Sequence, residues 1–273
     1  MEPLTALTVA GSDSGGGAGI QADLRTFSAF EVHATSALTA VTAQNTLGVS
    51  AVYNVQPALV LAQMHAVLSD FNVVAVKTGM LAQPSTVEAV ADVARAGALA
   101  QLVVDPVLVS TTGQSLMQPG GVQAYRDALL PFATIVTPNL REAAILADVD
   151  VREIITNDDM VAVARTILAF GARYVLVKGG HFVSDAANEQ RAPDVLVSRD
   201  AVVIFDALRV VTHNDHGTGC SLSAAIAAGL GYGRSVSDAT RDAKSFVLSA
   251  LGGAQSWHLG HGRGPIDHLG WNQ

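Results

Sequence analysis

Residues 4–30 read LTALTVAGSDSGGGAGIQADLRTFSAF, and this stretch decides the fold. Leu4 to Ala10 is a mainly apolar run of strand length, the pattern of a strand buried on both faces. A glycine-rich turn follows. From Ile20 to Phe30 the apolar residues Ile20, Leu24 and Phe27 return at helical spacing. The same step recurs along the chain. Short runs rich in Val and Ile lie at Val73–Lys77, Leu102–Asp105, Thr134–Thr137 and Tyr174–Lys178. Helical patterns lie between them at Ala58–Ser69, Ser85–Ala96, Gly121–Leu129, Leu140–Ala147 and Asp158–Phe170. Such alternation predicts an α/β fold whose mostly parallel central sheet is covered by helices. Val195 to Asp206 is expected to form a hairpin around Arg199-Asp200, followed by helices at Ser221–Leu230 and Ser237–Leu251. No linker, repeat or low-complexity tract interrupts the pattern, so one domain is expected over residues 1–273.

Composition narrows the function. With 49% hydrophobic and 15% charged residues among 273, the chain is too apolar for disorder. A net charge of −8 argues against nucleic acid or an anionic membrane surface as partner. A single cysteine, Cys220, allows neither an internal disulfide nor a cysteine zinc site. The segment Val32–Ser69 lacks Asp, Glu, Lys and Arg, but Gln44, Asn45, Asn54, Gln56 and Pro57 interrupt it. It is therefore expected to hold buried strands and not a membrane span. Met1 to Ala10 has no basic region of the signal-peptide kind, and the expected location is the cytoplasm. Of 16 basic residues only Lys77, Lys178 and Lys244 are lysines; either this is a general bias towards Arg, or the three mark places where a compact ammonium is needed.

In parallel sheets ligands bind beyond the carboxyl ends of the strands. Here those ends carry Gly11-Ser-Asp13, Lys77-Thr-Gly-Met80, Asp105-Pro106, Thr137-Pro-Asn139 and Lys178-Gly-Gly-His181. The glycine-rich turn contains a formal dinucleotide fingerprint, Gly17-x-Gly19-x-x-Ala22. No acidic residue lies about 20 positions on to hold a ribose, and no Gly-Lys-Ser/Thr makes it a Walker A loop. It remains a loop whose backbone can approach a small ligand, with Asp23 either facing that ligand or favouring the helix start.

His216-Gly-Thr-Gly-Cys-Ser221 precedes an alanine-rich helix. Amides at a helix start form an anion site, and their field is expected to lower the thiol pKa of Cys220. The alternative is that Cys220 is a small buried apolar residue. Asp105, Asn139 and Glu142 form an acidic constellation suited to Mg2+, although Glu142 equally suits a helix first turn. No residues have zinc-ligand spacing, and His258, His261 and His268 are expected to be solvated. Ser184–Pro193 is a polar insertion with no assigned role.

Taken in order, Ala10–Asp23, Thr42-Ala-Gln-Asn-Thr46, Lys77-Thr-Gly-Met-Leu81, Asp105-Pro-Val107, Thr137-Pro-Asn139, Lys178-Gly-Gly-His181 and His216-Gly-Thr-Gly-Cys220 resemble the hydroxymethylpyrimidine/phosphomethylpyrimidine kinases of the ribokinase-like superfamily. The tail Gly260-His-Gly-Arg-Gly-Pro265 matches as well. The resemblance implies a three-layer α/β/α fold, a homodimer, and ATP- and Mg2+-dependent phosphorylation of 4-amino-5-hydroxymethyl-2-methylpyrimidine and then of its monophosphate, in thiamine biosynthesis. It implies that Gly11, Ala18, Asp23, Gln44, Met80 and Val107 line the pyrimidine site and that Cys220 is the base. By the same token Asp105, Asn139, Glu142, Lys178 and the Gly217-Thr218-Gly219 turn serve ATP, Mg2+ and phosphate. Lys244 either closes the nucleotide site or extends to the surface. Asn214-Asp215 and Gly15 depart from the family pattern. Two other readings stay open: a pyridoxal or pyridoxine kinase, and a non-catalytic vitamin-binding protein.

Overall fold

The computed structural model describes residues 2–109, 116–180 and 190–272. Eight strands form one sheet in the order β10-β9-β8-β7-β6-β5-β1-β2. Its parallel part is β1 (Thr5–Ala10), β2 (His33–Leu38), β5 (Val73–Thr78), β6 (Leu102–Val104), β7 (Ile135–Val136) and β8 (Tyr174–Lys178). The hairpin β9 (Asp194–Ser198) and β10 (Val202–Phe205) extends it antiparallel to β8. Period-two geometry divides each strand between two apolar layers. Leu7, Val9 and Val76 belong to one core, and Ala6, Ala75 and Val103 to the other.

The first core is closed by α2 (Pro57–Leu68), α3 (Pro84–Arg95), α4 (Gly121–Ala124), α5 (Leu140–Ala147) and α6 (Asn157–Leu168). The second is closed by α1 (Gly19–Ala29), α7 (Thr218–Gly231) and α8 (Val236–Gly253). Helix–sheet–helix layering follows, as the resemblance implied. Two sequence signals set helix starts: Pro57 and Pro84 occupy first-turn positions of α2 and α3. Helix α5 opens on a capping box in which the Asn139 side chain accepts from Glu142 N and Glu142 accepts from Asn139 N.

The uncharged segment from Val32 corrects one expectation. After β2 the chain forms a separate two-stranded antiparallel sheet, β3 (Ala40–Asn45) and β4 (Gly48–Asn54). It is not buried: Val41, Leu47, Val52 and Tyr53 are exposed on it. An apolar strand with no partner sheet on its outer face reads in sequence like a core strand, because burial is a tertiary property. Among the described residues no helix is long and apolar enough to cross a membrane. Residues 184–189 of the polar insertion, and His181, lie outside the described residues.

Candidate active site

Because β1, β5, β6, β7 and β8 run parallel, their carboxyl ends meet along one edge, and a cavity of about 650 Å³ opens there. It runs from the β1–β5 side, under the β3–β4 hairpin, to the β8–β9 side. Its wall holds Gly11, Ala18, Gln44, Met80 and Val107 from the expected pyrimidine set. It also holds Asp105, Asn139, Glu142, Lys178 and Lys244, and the turn Gly217, Thr218, Gly219 and Cys220.

Asp23 is the exception among these residues. Its carboxylate is fully buried beneath the wall, where it accepts from Thr8 Oγ1 at 2.6 Å and from Lys77 Nζ at 2.8 and 2.9 Å. Asp23 therefore does not present an oxygen to a ligand in the cavity; it holds Lys77, which does line it. Burial depresses Lys77, but the charge and hydrogen bond of Asp23, together with the Cys220 and Asp105 charges, outweigh it and keep the ammonium protonated. All three lysines of the chain reach the cavity wall, each tied to a buried aspartate. Lys178 donates to Asp105 Oδ1 at 3.0 Å, and Lys244 to Asp194 Oδ2 at 2.7 Å. Lys244 also donates to the Ala192 carbonyl at 2.7 Å, so it does not extend to the surface.

The glycine-rich turn is organised by Asp13, a residue with no role legible from its local sequence. Asp13 is buried; its Oδ1 accepts from Gly15 N at 2.8 Å, and its Oδ2 from Gly17 N and Ala18 N at 3.0 and 2.8 Å. The carboxylate takes up the Gly15, Gly17 and Ala18 amides, so these are not free to donate to an anionic ligand. His216 Nε2 lies 2.9 Å from the same Oδ2. Burial raises the Asp13 carboxyl, but the His216 and amide hydrogen bonds outweigh it and hold the group below its usual range. Gly217, in the left-handed region at φ 85°, packs directly on the Gly17 carbonyl, so the two glycine turns interlock.

Gln44 sits on the hairpin above this junction. Its backbone is pinned by Ser14, whose hydroxyl donates to Gln44 O and accepts from Gln44 N, both at 2.7 Å. Its side-chain amide lies 3.3 Å from His216 Nε2.

Cys220 lies in the first turn of α7, half-buried, with the Gly19 amide facing its sulfur. The lowered thiol pKa expected from the helix field is not found. Burial pushes the thiol up to about 11, and Asp105 and Asp23 add to the rise against the pull of Lys77. The amides of Gly219 and Cys220 take no backbone partner among the described residues, which leaves them for a ligand. Glu142 is buried behind Lys178 and pushed up to about 7, first by burial and then by the Asp105 charge, against Lys178. Tertiary packing also contradicts one histidine expectation: His268 is buried, and its Nε2 lies 2.8 Å from Ser221 Oγ at the start of α7. Asn214, one of the departures from the family pattern, is buried and donates to the Ala254 and Trp257 carbonyls, while Asp215 pairs with Arg263.

The phosphomethylpyrimidine kinase family model matches residues 13–267. The hydroxymethylpyrimidine/phosphomethylpyrimidine kinase of Rhizobium meliloti is 49% identical over 266 residues, covering 97% of this chain and 96% of that protein. Among solved structures, the phosphomethylpyrimidine kinase of Clostridium difficile matches with a TM-score of 0.79 at 36% identity, over 91% of this chain and 99% of that one. The pyridoxal kinase of Staphylococcus aureus, in complex with AMP-PCP and pyridoxal, matches with a TM-score of 0.86 at 32% identity, over 100% and 96%. With a family model spanning residues 13–267, and so most of the sheet and most of the cavity wall, the chain belongs to the phosphomethylpyrimidine kinase family.

Proposed function

We propose that this chain transfers the γ-phosphoryl group of ATP to the hydroxymethyl oxygen of 4-amino-5-hydroxymethyl-2-methylpyrimidine, and then a second phosphoryl group to the monophosphate. The observation that carries this is one cavity in which the Gln44 amide, the Cys220 thiol, the free amides of α7 and the Lys178–Asp105–Glu142 group share a wall. An amide carries both donor and acceptor, which suits the adjacent ring nitrogen and amine of an aminopyrimidine. Gly11 presents bare backbone to this wall beside the Met80 methyl, which a Cβ at that position would displace.

Phosphoryl transfer needs in-line positioning and charge stabilisation more than covalent help. The substrate oxygen forms a bond to γ-phosphorus, the bond to the bridging oxygen breaks, and ADP leaves. The Gly219 and Cys220 amides and Lys178 stabilise the transferring group. The hydroxyl proton passes to Cys220 as thiolate, a form that is scarce at neutral pH but correspondingly strong as a base. Lys77, fixed beneath by Asp23, favours that thiolate. The second transfer uses an ionised phosphate as nucleophile and has no proton to lose.

Asp105 and Glu142 fit a magnesium ion. They are two buried carboxylates whose mutual repulsion helps raise Glu142, and Mg2+ typically takes one or two carboxylates with waters and phosphate oxygens. Among the described residues no group of three or more His, Cys, Asp or Glu side chains could hold a metal by itself, which fits an ion shared with nucleotide. When bound, the ion neutralises phosphate charge. Beside Lys244, the apolar Leu208, Val210, Val247 and Leu251 line the β8–β9 end and suit a nucleobase. The uncharged, exposed outer face of the β3–β4 hairpin supports a homodimer, to be checked by sedimentation.

The structural likeness to a pyridoxal kinase favours a second reading, vitamin B6 alcohols as additional substrates. ATP turnover on a panel of the aminopyrimidine alcohol, its monophosphate, pyridoxal and pyridoxine decides. Turnover of the first two at higher kcat/KM supports the main reading; turnover of the B6 compounds alone overturns it.

A further inference from the structure

The tail segment Gly260-His-Gly-Arg-Gly-Pro265 has no part in the sheet or in the transfer chemistry, yet it is fitted closely against two cavity elements. On one side it grips the hairpin tip at Thr46. The Thr46 hydroxyl accepts from His261 N at 3.2 Å and Gly262 N at 3.1 Å, and the Thr46 carbonyl accepts from Arg263 N at 3.1 Å. On the other side it grips the loop entering the Gly217 turn. His216 N donates to Gly264 O at 3.0 Å, Gly264 N donates to His213 O at 3.2 Å, and the Arg263 guanidinium pairs with Asp215, Nε to Oδ1 at 2.7 Å.

The alternate glycines are dictated by this fit. A Cβ on Gly262 would run into the Thr46 carbonyl, and one on Gly264 into the Asn214 amide. Gly260, at φ 79°, faces the Thr46 side chain with no space for a Cβ. Apart from its own β3–β4 ladder, the hairpin is fastened to the glycine-rich turn by Ser12 and Ser14. Thr46 is its tie to the tail.

We propose that Thr46 is a positioning residue for the alcohol substrate. It locks the hairpin tip to the tail, and the tail locks to the Asp215–His216 approach of the phosphoryl turn, so that the ring contact on the hairpin and the amides of α7 keep a fixed separation. The proposal rests on the reading of Gln44, two residues before Thr46, as the ring contact. The consequence is a split in kinetics: loss of the tie loosens the alcohol site while the β8–β9 end, far along the cavity edge, is untouched.

The test uses the full chain with Thr46→Val, Thr46→Ser and Gly262→Ala. Steady-state kinetics with the aminopyrimidine alcohol and ATP are paired with amide hydrogen exchange of the hairpin. Thr46→Val and Gly262→Ala should raise KM for the alcohol about tenfold, the effect of losing one or two net hydrogen bonds, and leave KM for ATP within about twofold. Exchange at residues 40–54 should quicken while β5 and β6 stay protected. Thr46→Ser, which keeps the hydroxyl, should behave as wild type. Unchanged hairpin exchange in both disruptive variants overturns the proposal. So does a loosened hairpin with unchanged alcohol KM, or a parallel rise in both KM values with a falling Tm, which marks a merely structural tie. If the wild type does not turn over the aminopyrimidine, the substrate reading fails by itself; the exchange arm and the same KM comparison on the accepted alcohol still decide the role of Thr46.

Discussion

Lys77 Nζ lies within 2.9 Å of both carboxylate oxygens of Asp23, and neither side chain is exposed. This pair supports the cavity floor from below, between β5 and α1. Removing one partner of a buried pair leaves an uncompensated charge, at a cost of about 3–5 kcal/mol. Asp23→Asn should therefore lower stability by that order in chemical denaturation. The double variant Asp23→Leu/Lys77→Met should recover much of the loss, since two apolar groups need no counter-charge. Wild-type stability in Asp23→Asn, with a large rise in alcohol KM, would return Asp23 to direct substrate contact.

The raised thiol of Cys220 gives the first phosphorylation a pH dependence. Below about pH 11 the thiolate fraction grows with pH, so a proton-accepting Cys220 makes the rate climb roughly tenfold per unit between pH 7 and 9 where chemistry limits it. The second transfer should stay nearly flat. Cys220→Ala should slow the first step by about 10²–10⁴-fold and abolish its slope. A flat wild-type profile assigns Cys220 to packing.

Gly217 and Gly219 should fail for different reasons. Gly217 has φ 85° and rests on the Gly17 carbonyl, so Gly217→Ala should lower Tm as well as activity. Gly219 is not in the left-handed region, but a Cβ there lies 3.1 Å from Lys178 Nζ, on the phosphate side. Gly219→Val should abolish transfer while alcohol binding by calorimetry persists. Retained ATP turnover would exclude this turn from the phosphoryl site.

Gln44→Leu should weaken the aminopyrimidine far more than pyridoxine, because only the former matches both faces of the amide, and a site built for hydrogen bonds penalises their loss. The comparison is kcat/KM for both alcohols in wild type and variant. A proportionate fall reduces Gln44 to its contact with His216.

His268 should make the fold acid-sensitive. Burial, then the Arg25 charge, pull its pKa from 6.5 to about 4. The unfolded chain thus binds a proton that the folded one refuses. Stability falls as pH drops from about 6.5 to about 4, by about 3 kcal/mol in all, and is unaffected by this group above that window. His268→Gln should flatten that part of a Tm-against-pH curve. An identical curve would mean that another group carries the acid sensitivity.

Much of the fold was legible because the sheet is parallel and doubly covered. Strands such as Leu102–Val104 and Tyr174–Lys178 are continuous apolar runs, and α5 begins where Asn139 and Glu142 make a capping box. The segment from Val32 misled, since its hairpin is apolar without being buried. Scarcity of lysine was informative: a chain that uses Arg elsewhere keeps Lys77, Lys178 and Lys244, and all three reach one cavity. Asp13 and His216 were missed as partners because they lie 203 positions apart, a pairing no local pattern reveals.

The sequence by itself determined the strand–helix alternation, and through it the edge at which the site forms, because hydrophobic period and glycine punctuation act over a few residues. Only the tertiary structure decided the state of the charges there. It turned Asp23 away from the cavity onto Lys77, closed the Asp13 carboxylate onto its own loop, and raised Cys220 in place of lowering it. Each outcome depends on desolvation and on charges brought from distant strands, and those exist only once the chain has packed.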